Sequence, residues 1–124
     1  MTEQQVLLYN FKDDERTQKI RRYLNHRRIC YRSVQAPEYL KPLGALLELP
    51  GFEDSHPFNL GYNFTEEMMV FYGFEQTDIW EFLSFFRSEG LAGVALKAMV
   101  TPINQHWNSI QLHDELSREH QTLH

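Results

Sequence analysis

Met68–Trp107, MMVFYGFEQTDIWEFLSFFRSEGLAGVALKAMVTPINQHW, reads as a strand, a helix, a second strand and the opening of a second helix. Met68-Met69-Val70-Phe71-Tyr72 is apolar on both alternating faces, the pattern of a strand covered on two sides, and Gly73 breaks it. Ile79, Phe82, Leu83 and Phe86 recur at helical spacing and predict one buried side. Thr77 and Asp78 are the expected N-cap residues, and Gly90 stands where a left-handed C-terminal cap is needed. Val94–Val100 is the next expected strand, interrupted in its apolar pattern by Lys97. Thr101 is expected to cap, and Pro102 to open, a last helix with Ile103, Trp107 and Ile110 as its buried stripe and a polar tail after Leu116.

The residues before this stretch repeat its order. Val6–Phe11 is a strand, and Lys12-Asp13-Asp14-Glu15 supplies turn and cap chemistry. A helix follows with Ile20, Tyr23 and Leu24 at helical spacing, ending in a basic run, and Ile29–Val34 is a second strand with Cys30 in or beside it. Leu40, Leu43, Leu46 and Leu47 predict a helix between Pro37 and Leu49, whose regular part starts only at Pro42 because an interior proline is costly. The connection 50–66 has no clear period and is read either as a packed loop or as a mobile flap, with aromatic residues to expose between Phe52 and Phe64.

Tyr9-Asn10-Phe11 aligns with Tyr72-Gly73-Phe74, Ile20 with Leu83, Tyr23 with Phe86, and Pro37 falls near Pro102. The expectation is therefore one domain over 1–124, made of two related halves at about 6–49 and 68–119. Its class is α/β, with α+β as the alternative: a duplicated βαβα unit forming a four-stranded sheet packed with helices. Each strand–helix–strand unit should be parallel and right-handed. Ferredoxin-like interleaving of the strands and unit beside unit are both open at this point.

The second half, from about Glu67 to Glu119, resembles a bacterial family known as domain of unknown function 3783. The resemblance is carried by the strand ending in Tyr72-Gly73-Phe74, by Leu96-Lys97-Ala98, and by Thr101-Pro102-x-Asn104-x-x-Trp107. It implies a module and carries no mechanism.

A chain of 124 residues can bury a single core, and a formal net charge of -5 argues against broad nucleic-acid binding. One cysteine excludes an internal disulfide framework and a thiolate zinc cluster. The first residues carry no signal-peptide pattern and no apolar run reaches membrane-spanning length, so a cytoplasmic location without membrane contact is expected.

Lys97, Thr101, Asn104 and Trp107 form the ligand-binding candidate. A helix start at Thr101 would leave backbone N–H groups free for an anion, and Lys97 could add charge. A plain helix start with a core Trp107 is the alternative reading. Lys19, Arg21, Arg22, Arg27, Arg28 and Arg32 could hold an acidic or phosphate-bearing partner, yet cations at a helix C-terminus also match its dipole. His106, His113 and His120 lie seven apart, too far for one metal, and His120 and His124 fall at the end of the helix. No nucleophilic triad, phosphate loop or dinucleotide fingerprint occurs, and Cys30 is expected to be a small buried hydrophobe.

No catalytic residue, metal or cofactor is therefore expected. The leading expectation is a non-catalytic module recognising an unknown protein or small anionic ligand, with a homodimer as its assembly. The alternatives are an enzyme or sensor for an anionic metabolite at the Lys97/Thr101 junction, and nucleic-acid binding through the basic end of the first helix.

Overall fold

The computed structural model describes residues 3–52, 58–59, 61 and 63–122. Strands β1 (Gln5–Tyr9), β2 (Cys30–Ser33), β3 (Met68–Tyr72) and β4 (Leu96–Met99) form one mixed sheet in the order β2-β1-β3-β4. β1 runs parallel to β2 and β3 parallel to β4, while β1 and β3 pair antiparallel at the centre. The two units lie side by side, and ferredoxin-like interleaving is not adopted. Burial explains the order. Val6–Tyr9 and Met68–Phe71 are buried along their whole length, so these two strands need cover on both faces and an edge on neither side. Polar β2 and the lysine-bearing β4 take the edges.

Helices α1 (Glu15–His26) and α3 (Gln76–Ser88) cover one face, where Ile20, Leu24, Phe82 and Phe86 pack on Val6, Leu8, Met69 and Phe71. Two parallel units meeting antiparallel place both right-handed crossovers on the same face. On the other face, α2 (Leu43–Leu46) and α4 (Ser109–Thr122) close over Leu7, Tyr9, Met68 and Val70. The central register is balanced: Leu7 lies opposite Val70, Gln5 opposite Tyr72 and Tyr9 opposite Met68.

The helix ends of the two units share their geometry. Arg28, with φ 59°, and Gly90, with φ 64°, hold the left-handed position. Ile29 N donates to Leu24 O at 2.8 Å and Leu91 N to Phe86 O at 2.9 Å, the outer bond of a Schellman cap in each case. These caps pair Leu24 with Phe86 and Tyr23 with Phe85. The alignment of Tyr23 with Phe86 and Ile20 with Leu83 is thus one residue out inside the helix. Burial agrees, since Ile20 and Phe82 are buried and Leu83 is half-buried.

Several boundaries differ from expectation for local reasons. The N-cap of α3 is Glu75, whose side chain and that of Asp78 form a capping box, so Thr77 and Asp78 lie inside the helix. The last helix starts at Ser109 instead of at Thr101. Asn108 and Gln111 exchange bonds at its start (Gln111 N to Asn108 Oδ1 2.9 Å, Asn108 N to Gln111 Oε1 2.8 Å), and it runs through Thr122 without ending after Leu116. Residues 102–107 form only turns and a short 3-10 helix (Asn104–His106), which leaves Ile103 73% exposed. The Pro37–Leu49 helix is reduced to a 3-10 turn at Ala36–Glu38 and the short α2 after Pro42. Of the connection 50–66, residues 53–57, 60 and 62 lie outside the described residues. Phe64 is buried, stacked on Tyr39 and His113, and Asn10 Nδ2 donates to Phe64 O at 2.9 Å.

Candidate ligand groove between α3 and β4

Of the four junction residues, the fold brings Thr101 and Asn104 together. Thr101 N donates to Asn104 Oδ1 at 2.7 Å, and Asn104 N donates to Thr101 Oγ1 at 3.0 Å. Asn104 Nδ2 donates to Met99 O at 3.0 Å, so this buried side chain holds the end of β4. Gln105 N and Trp107 N are also bonded within the turn. Most of the donors that an anion would need at a helix start are therefore engaged, and the 3-10 segment is too short for a strong dipole. Trp107 is half-buried against the core of the α2/α4 face, and its carbonyl accepts from Leu43 N at 2.8 Å.

Lys97 points the other way. It pairs with Met69, whose side chain lies on the α1/α3 face, and directly paired residues of neighbouring strands share a face. There it borders a groove between α3 and β4. Toward the C-terminal end of α3 a cavity of about 400 Å³ is lined by Phe82, Leu83, Phe86, Arg87, Val94 and Lys97, among others. A smaller one of about 160 Å³ continues past Ile79, Leu83, Lys97 and Met99. Phe82, Leu83 and Lys97 line both, so the two cavities adjoin along α3 and β4 as a half-open groove with largely apolar walls.

Among the described residues, neither Arg87 nor Lys97 has a carboxylate within 4.0 Å. Lys97 Nζ donates to Val94 O at 3.0 Å, one of the three bonds an ammonium can give. The floor is fixed from α1: Arg16 Nε donates to Ala92 O and Nη2 to Gly93 O, both at 3.0 Å, while Nη1 pairs with Glu67 at 2.7 Å.

The first half is built differently at the same place. Ile29 leads directly into β2, whereas Ala92-Gly93-Val94-Ala95 intervene between Leu91 and β4. Tyr31 holds the register position of Lys97 and packs onto the core, and Arg21 pairs with Asp13 at 3.6 Å. The extra four residues are a signal legible in the sequence, once the two strand starts are aligned.

The other candidates are built into the structure. Arg27 pairs with Glu81, Arg32 with Glu38 and Lys19 with Glu15, so much of the basic run is balanced internally. Cys30 is exposed on the edge strand, correcting the buried reading; β2 lies outside the two-sided core, and four-residue edge strands bury little. Its hydrogen bond to Glu3 pushes the thiol pKa up, with desolvation adding to the shift, and thereby disfavours the reactive thiolate. His113 is buried, contacting Glu66 at 3.2 Å and Asp114 at 3.1 Å. The His120 side chain and His124 lie outside the described residues. Among the described residues no group of three His, Cys, Asp or Glu is placed to hold a metal ion, and no helix is long and apolar enough to cross a membrane.

Neither a curated protein nor a solved structure matches the chain. The helix and strand that wall the groove, with the turn and helix after them, lie in the part that does match a family: residues 67–123 fit the model of Domain of unknown function (DUF3783).

Proposed function

We propose that the chain is a non-catalytic recognition module whose ligand or partner sits in the groove between α3 and β4. The observation that carries this reading is an apolar channel bordered by two cations, Arg87 and Lys97, that have no carboxylate partner among the described residues. Binding sites are typically apolar clefts with a few placed polar groups, and a lysine left unpaired beside apolar walls favours a site over a structural ion pair. Of the junction residues, Lys97 is assigned to the ligand, and Thr101, Asn104 and Trp107 to holding β4 and the chain after it. The two halves are read as copies of one strand–helix–strand unit, of which the second has opened. The matched Schellman caps and the balanced β1/β3 register support that reading.

The test uses an uncharged apolar probe. Titrating the full chain with 1-octanol should shift the backbone amide resonances of Ile79, Leu83, Phe86 and Met99 in a saturable way. Lys97→Tyr, which places the first half's residue in the channel, should abolish the shifts while the melting temperature stays near that of wild type. An unperturbed groove at saturating 1-octanol would overturn the reading.

A further inference from the structure

We infer that the groove takes a small amphipathic anion, with a carboxylate or phosphate held by Arg87 and Lys97 and an apolar chain or ring along Leu83, Ile79 and Met99. This rests on the groove being the binding site and adds the chemistry of its ligand.

Charge complementarity is the first argument. Ion pairs engage Arg16, Lys19, Arg21, Arg27, Arg32 and Arg118, and Lys12, Arg22 and Arg28 have none among the described residues, so what sets Arg87 and Lys97 apart is that both line one apolar cavity. The two cations on the groove have no such partner among the described residues, and both line the larger cavity. A guanidinium presents a planar fork of donors and Lys97 has two donors left after its bond to Val94 O, a combination suited to an oxyanion. Both side chains are exposed, so the charged end of a ligand can stay in contact with water while its apolar part enters the groove.

Shape gives the second argument. Gln76 and Arg87 mark the two ends of the groove on α3, about 16 Å apart along the helix axis, which is long enough for a medium acyl chain or a bicyclic ring. Arg87 lines only the wider cavity and Lys97 borders both, while the narrower one is walled by Ile79, Leu83 and Met99.

A peptide strand added to β4 is the competing occupant, and the edge disfavours it. Leu96 N and Val100 N bond inward to Glu67 O and Phe71 O, so Lys97 and Met99 face outward. The Met99 carbonyl is already taken by Asn104. That leaves an outer edge too short to template a strand, with a lysine in its middle, both recognised devices against strand addition.

Octanoate and 1-octanol, equal in chain length, separate the charge from the groove. Amide-resonance titrations of the full chain at low ionic strength should give octanoate an affinity at least ten-fold above that of 1-octanol, with both mapping to α3 and β4. In the Arg87→Met, Lys97→Met double variant octanoate should fall to the level of 1-octanol, while 1-octanol is unchanged. Octyl phosphate in place of octanoate tells carboxylate from phosphate preference, and either ranking supports the inference. Equal affinity of octanoate and 1-octanol in wild type would overturn the anion and leave the groove standing. Octanoate shifts outside the groove would overturn it too. So would groove shifts that appear on raising protein concentration without ligand, because a second copy would then be the occupant.

Discussion

The α1–β2 and α3–β4 connections start alike and end differently. Both leave the helix through a Schellman cap with a buried or half-buried residue, Ile29 or Leu91, just after the left-handed position. In the first half the chain enters the strand at once and Tyr31 packs onto the core. In the second, four residues lie between the cap and β4, two of them (Ala92 and Gly93) pinned by Arg16, and Lys97 holds the register position that Tyr31 holds in the first. The same local rules thus give a closed, structural edge in one half and a channel in the other. The lesson is that a short, well-held segment beside a sheet edge can border a cavity without disturbing the sheet.

That comparison can be broken most forcefully in the layer both halves share. Ile20 and Phe82 are buried under α1 and α3 and touch the same core. Ile20→Ala should cost about 2–5 kcal/mol and Phe82→Ala about 3–5 kcal/mol, read from urea denaturation of each variant. A Phe82→Ala penalty far below that of Ile20→Ala would mean that the channel loosens the core of the second half as well as its edge.

A smaller effect is expected where one half makes a contact that the other lacks. Tyr9 is buried and its hydroxyl lies 2.7 Å from Ser109 Oγ, across the two halves, whereas Tyr72 at the matching end of β3 is half-buried. Burial pushes the Tyr9 hydroxyl pKa well up and the Ser109 bond opposes this only in part, so the group is neutral and the bond is between two hydroxyls. Ser109→Ala leaves a buried hydroxyl without its partner and should lower stability by about 1–3 kcal/mol. A neutral result would show that water or another group reaches Tyr9.

The smallest effect tests whether the two caps are the same motif. Arg28 and Gly90 share a positive φ, which costs a side chain and suits glycine. Arg28→Gly should raise stability, and Gly90→Arg lower it, by about 1 kcal/mol each in thermal or urea unfolding. Changes of the same sign would separate the two ends and weaken the correspondence between the halves.

The sequence alone determined what depends on near neighbours. β3 matched its expected bounds because a five-residue apolar run ending at Gly73 has few other uses. The α1 and α3 stripes and the Gly90 cap were legible for the same reason, since period and positive φ are local properties. The resemblance to the matched family lay in residues whose roles are local too, such as Thr101 and Asn104 bonding each other across a turn.

Only the tertiary structure decided the rest. Whether the units interleave depends on which strands need cover on both sides, and that is settled by pairing β1 against β3 across the chain. The late start of α4 follows from Asn104 reaching back to Met99, a bond that competes with helix formation and carries no periodic signal. Lys97 was conspicuous in its strand, but strand polarity and register decide which face it meets. They turned it away from the Thr101 junction and toward Arg87, a residue with no mark of its own in the sequence.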